Sequence, residues 1–166
     1  MSEDVSLPDE ESMTIIAFSG DLDKLWPTMI LSSTAAASGM EVTVFFTFWG
    51  LYPLVREDYR HIGKEKLTKS MSRFNPPGFQ RAHLSKMKFG GMGAKMMRQV
   101  AAQEGLAPPE ELFEMCVELG VNLWPCQMTM DLMGIKRDMM VDGLGDPVGA
   151  ATALGKMAKS EISLFI

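Results

Sequence analysis

The segment Val42, Thr43, Val44, Phe45, Phe46, Thr47, Phe48 and Trp49 is apolar or β-branched at almost every position, not at every second one. A strand with one wet face alternates. A strand buried on both faces does not, and such strands belong to parallel sheets covered by helices. The second strand is therefore placed at Glu41–Trp49, ended by Gly50. Upstream, Met13–Phe18 is a short apolar run that Ser19, Gly20 and Asp21 interrupt. Between the two runs Leu22, Leu25, Trp26, Met29, Ile30 and Ser33 recur at helical spacing, and Gly39 closes a helix predicted over Asp21–Ser38. Pro27 is placed early in it, where a proline costs least. Strand, helix, strand is the start of a right-handed crossover fold.

The same alternation continues downstream. A short helix is expected over Leu51–Asp58. Ala107, Pro108, Pro109, Glu110 and Glu111 begin another, with proline and acids in its first turn. Val121–Cys126 reads as a third strand and Gln127–Met133 as a short helix ended by Gly134. Met139–Val141 is read as a short edge strand, the fifth of the sheet. Asp146 and Pro147 cap a last helix reaching about Lys159, and Glu161–Ile166 is a closing strand. The pattern predicts an α/β fold, a three-layer α/β/α sandwich around a mostly parallel four- to five-stranded sheet. One domain is expected over residues 13–166, after a flexible acidic arm at 1–12. A basic, Met- and Gly-rich insertion occupies about 60–98. It is read as a solvated loop ending in a helix, a flap over a site, an oligomer contact, or a membrane-touching amphipathic piece, for which it is short of aromatics.

Composition narrows the function classes. With 46% hydrophobic and 22% charged residues, the 166-residue chain is composed like a globular protein. A net charge of −5 argues against a nucleic-acid surface. The first residues are acidic, not the basic-then-apolar pattern of a secretory signal, and two cysteines build no disulfide framework. A cytoplasmic location is expected. No run of eighteen apolar residues is present, so no membrane span is expected. The 16 methionines are read as core and adaptable surface, since soft-metal clusters with His or Cys nearby are not evident.

Ligands of parallel sheets bind beyond the carboxyl ends of the strands. That rule selects Ser19 and Gly20, Trp49 and Gly50, and Pro125 and Cys126. Cys126 ends a strand and opens a helix, where backbone N–H groups and the helix dipole favour a thiolate. It is the candidate catalytic residue; a buried, inert cysteine is the alternative. Cys116 falls on the apolar helix face of Leu112, Phe113 and Leu119 and reads as core. Chain geometry leaves the two cysteines roughly 10 Å apart along the helix and strand, too far for a disulfide. His61 and His83 both lie in the insertion, and a Cys–His dyad would need that segment to fold over Cys126. Asp131 reads as a capping or buried polar contact. No zinc spacing is present. Gly90, Gly91 and Gly93 match a phosphate loop only in glycine count, without the preceding strand or the following Gly-Lys-Ser/Thr. No cofactor or metal site is predicted.

Residues Trp124–Ile135, with Cys126 near their start, resemble the cysteine motif of the DsrE/DsrF-like sulfur-relay family. They are most similar to the branch often labelled peroxiredoxin, although the Thr and Arg arrangement that peroxide reduction requires is not seen in the motif. The run Asp146–Ala151, the closing Ile162–Ile166, and the Phe45–Gly50 strand with its glycine resemble the same branch. The resemblance implies a three-layer α/β fold, a persulfide carried on Cys126, rhodanese-like or TusA-like transfer partners, and a homo-oligomer. The alternative is a non-catalytic oligomeric assembly or regulatory module in which Cys126 is structural and the basic insertion binds a partner or small anion. Nucleotide or flavin binding at the strand ends is a third reading.

Overall fold

The computed structural model describes residues 11–59 and 62–166. Four strands form one sheet: β1 (Ser12–Ala17), β2 (Glu41–Phe46), β3 (Asn122–Pro125) and β4 (Ile162–Phe165), in the order β3-β2-β1-β4 and parallel throughout. Ile15 stands beside Val44 on one side and Leu164 on the other, and Val44 beside Leu123. Ile15, Val44 and Leu123 are all but inaccessible to water, as the unbroken apolar runs require.

The helices are α1 (Leu22–Ala37), α2 (Lys66–Phe74), α3 (Met92–Gln103), α4 (Pro109–Glu118), α5 (Gln127–Met133) and α6 (Ala150–Met157). Parallel crossovers are right-handed. The steps from β1 to β2 to β3 move in one direction across the sheet, which puts α1 and α4 on one face, where they pack on each other. The return from β3 to β4 moves in the opposite direction and puts α6 on the other face, against β1. Three layers result.

Several expected boundaries move. The second strand ends at Phe46; Phe48–Leu54 is a 3-10 helix, in place of a strand to Trp49 and a helix over Leu51–Asp58. Gly50 explains the change. A Cβ there would stand 2.1 Å from the Ala17 carbonyl oxygen, so the chain turns tightly across the end of β1 instead of continuing the strand. Met139–Val141 is not a fifth strand: Met140 makes one isolated antiparallel bridge to Val55 after a single 3-10 turn, Arg137–Met139. Pro27 lies at the sixth position of α1, inside the helix, not in its first turn. Asp146 and Pro147 do not start α6, which Gly149 caps. Ser12, assigned to the arm, opens β1, and its N–H and hydroxyl both donate to the Glu161 carboxylate. Within 62–98 the chain forms α2, most of the first two turns of α3 and two 3-10 turns, with Phe79 and Leu84 buried.

Candidate functional site

Cys126 sits where expected in the chain, between β3 and α5, as the N-cap residue of α5. Its backbone is fixed on both sides. The Cys126 N–H donates to the Phe46 carbonyl at 2.9 Å and so carries the β2–β3 ladder one residue further. On the other side Val148 pairs with Cys126 in a parallel bridge: Val148 N–H donates to the Pro125 carbonyl at 3.0 Å, and Gln127 N–H to the Val148 carbonyl at 3.0 Å. The loop leading into α6 thus continues the sheet across the end of β3, and Cys126 is only 2% exposed. Cys116 is a core residue, as predicted. It is fully buried with its thiol donating to the Met29 carbonyl at 3.7 Å, and burial pushes its pKa up to about 11. Both cysteines are free.

One turn into α5, buried Thr129 accepts the Phe48 N–H at 3.1 Å and lies 3.2 Å from the Thr47 hydroxyl. Phe48 has a φ of 52°, a left-handed conformation that a bulky side chain adopts only when its surroundings hold it there. Its ring stacks on Phe18 at 5.8 Å, and Phe18 lies the same distance from Phe165. These three exposed rings form a ridge along the carboxyl ends of β1, β2 and β4. Thr129, Phe48 and Val148 were not singled out from the sequence. The signal available was a threonine one helical turn beyond the cysteine; the pairing with Val148, twenty-two residues on, left none.

The other predicted residues do not gather at Cys126. His83 lines a hollow at the ends of β1 and β2 with Ser19, Asp21 and Trp49, and Cys126 is not among the lining residues. β1 lies two strand spacings from β3, about 10 Å. His61 lies outside the described residues. Asp131 is exposed, not a buried polar contact, and accepts from Gln127 Nε2 at 3.2 Å. Among the described residues no three His, Cys, Asp or Glu side chains are grouped to hold a metal ion, and no helix is long and apolar enough to cross a membrane.

A parallel four-stranded α/β sheet with a cysteine capping the helix after β3 defines a recognisable class. The model of the DsrE/DsrF/DrsH-like family matches residues 9–165, and the chain belongs to that family. Among its relatives, the uncharacterized protein YrkE of Bacillus subtilis is 39% identical over 153 residues, covering 92% of this chain and 95% of that protein. The sulfur carrier protein DsrE2 of Allochromatium vinosum is 36% identical over 169 residues, covering 95% and 99%. The crystal structure of the Escherichia coli ychN protein shares the fold, with a TM-score of 0.55 at 10% identity, covering 94% of this chain and 99% of that one.

Proposed function

We propose that this protein is a sulfur carrier that holds sulfane sulfur as a persulfide on Cys126 and passes it between protein partners. The observation that carries the reading is the place of Cys126, on the carboxyl edge of the sheet and at the start of α5. A relative that aligns along almost its whole length is named a sulfur carrier. In the forward step the Cys126 thiolate attacks the outer sulfur of a donor persulfide, the donor's S–S bond breaks, and the donor leaves as a thiolate. In the return step an acceptor thiolate attacks the outer sulfur of the Cys126 persulfide and Cys126 leaves as the thiolate. No net oxidant is needed. The Gln127 N–H is taken by the Val148 carbonyl, so the N–H groups of Met128 and Thr129 in the first turn of α5 are the donors this reading assigns to an anionic outer sulfur.

Rhodanese-like and TusA-like proteins are the partner class this chemistry fits, and the exposed ridge of Phe18, Phe48 and Phe165 on the same edge offers them, or a second copy of the chain, an apolar contact. Because Cys126 is 2% exposed, exchange requires a local opening of the structure around it. Mass spectrometry after incubation with polysulfide, or with thiosulfate and a rhodanese, tests the reading. A gain of one sulfur atom on the wild type and none on Cys126→Ser is expected. An equal gain on both proteins, or none on either, overturns it.

The burial of Cys126 is also what favours the second reading, an assembly or regulatory module with a structural cysteine. Alkylation separates the two. Labelling of Cys126 at native conditions, well below the unfolding transition, supports a carrier; labelling only on global unfolding supports the module.

A further inference from the structure

The basic insertion closes over the ends of β1 and β2 and leaves two adjoining hollows, neither lined by Cys126. The larger, about 540 Å³, is lined by Trp49, Phe74, Asp21 and Lys88, and the smaller, about 310 Å³, by Arg81, Lys95 and Arg98. His83 and Gly91 form part of both. Each volume lies within or near the range of small-molecule sites.

Their chemistry is unequal. Residues 62–98 contain nine lysines and arginines against one acid, Glu65, in a chain of net charge −5. No carboxylate lines the smaller hollow. Its two guanidinium groups are held in place by the backbone: Arg81 donates to the carbonyls of Pro77 (2.8 Å) and Glu57 (2.7 Å), and Arg98 to the Phe79 carbonyl (2.6 Å). Glu57 and Glu110 pair with them from outside that lining. Even so, Arg98 Nε is buried and has no acceptor among the described residues. An unmatched buried donor is costly, and it leaves this corner of the hollow without a full set of acceptors for its positive charge. Lys88 and Lys95 are exposed and make no ion pair among the described residues.

The wall between the hollows is anchored to α1. The His83 carbonyl accepts the Leu22 N–H at 2.7 Å, and two residues on, the Ser85 N–H and hydroxyl both donate to the Asp23 carboxylate. The larger hollow is different in kind: Trp49 and Phe74 supply aromatic surface, and Phe74 is 83% exposed, an unusual place for a phenylalanine that covers nothing.

We propose that the two hollows form one binding site for a phosphate-bearing molecule with a planar ring, of nucleotide chemistry. The phosphate occupies the cationic hollow beside Lys95 and Arg98, and the ring lies between Trp49 and Phe74. The glycine turn is not a phosphate loop: Gly91 is glycine for its left-handed φ of 94°, and a Cβ on it would only meet the His83 ring at an ordinary 3.9 Å.

Isothermal titration of the full chain with AMP, adenosine and inorganic phosphate tests this. AMP is expected to bind at least tenfold more tightly than either adenosine or phosphate, and phosphate to compete with it. The double variant Lys88→Glu/Lys95→Glu, which changes only exposed side chains, is expected to lose at least tenfold in AMP affinity with an unchanged unfolding midpoint. Trp49→Phe is expected to weaken AMP but not phosphate. No AMP binding at millimolar concentration, AMP no tighter than phosphate, or an unaffected double variant each overturn the proposal. The test is independent of the sulfur reading, since Cys126→Ser is expected to bind AMP as the wild type does.

Discussion

Phe48 is held in its left-handed conformation by Thr129, whose hydroxyl oxygen accepts the Phe48 N–H at 3.1 Å. The contact ties the turn after β2 to the helix that Cys126 caps. Thr129→Val keeps the shape, removes the acceptor and leaves a backbone donor unmatched, so a loss of about 1–3 kcal/mol is expected in urea unfolding. Thr129→Ser is expected to stay near wild type. Freeing the Phe48 turn is also expected to raise the alkylation rate of Cys126 in the native protein.

Gly50 and Gly39 separate crowding from backbone strain. A Cβ at Gly50 meets the Ala17 carbonyl oxygen at 2.1 Å, whereas Gly39, at a φ of 90°, has nothing within 4 Å. Gly39→Ala is expected to cost about 1 kcal/mol, from the left-handed conformation alone. Gly50→Ala must push β1 and the turn apart and is expected to cost roughly 3 kcal/mol or more. Unfolding midpoints of the two variants, measured side by side, check the order.

Cys116 makes stability fall at alkaline pH. Its folded pKa, about 11, lies above the ordinary thiol value because burial disfavours the thiolate. The folded state therefore keeps a proton that the unfolded chain releases from about pH 8.5 upward, and stability declines between there and about pH 11. In Cys116→Ala the small loss of packing is present at all pH values. The stability gap between wild type and variant is expected to narrow as pH rises through that window, in denaturant titrations at pH 7 and pH 10.

Asp23 acts at the acid end. Burial alone would raise its pKa, but the hydroxyl and N–H donated by Ser85 outweigh that and hold it below the usual carboxylate value. A lowered carboxyl pKa stabilises the fold above the unfolded value near 3.9, and that stability disappears as pH falls through the folded one. Asp23→Ala is expected to be about 1 kcal/mol less stable than the wild type at pH 7, and the gap is expected to narrow as pH falls through the lowered folded pKa, in denaturant titrations at neutral and acid pH. It is also expected to weaken AMP binding, since Ser85 anchors the segment that carries His83.

The four strands, α1, α4 and α5 were legible in the sequence because burial on two faces or one stripe leaves a pattern within a few neighbouring residues. So was the position of Cys126 at a strand end, and the core role of Cys116 on its apolar helix face. The 3-10 turn at Phe48–Leu54 was not, because it depends on the approach of Gly50 to Ala17, thirty-three residues earlier. The bridge between Cys126 and Val148 joins residues twenty-two apart in the chain, and the placing of His83 comes from its carbonyl meeting the Leu22 N–H. Periodicity is a property of neighbours in the chain, so it determined the elements and their order. Contacts between distant segments carry no periodic signature, so tertiary structure alone decided what covers the cysteine and where the basic insertion rests.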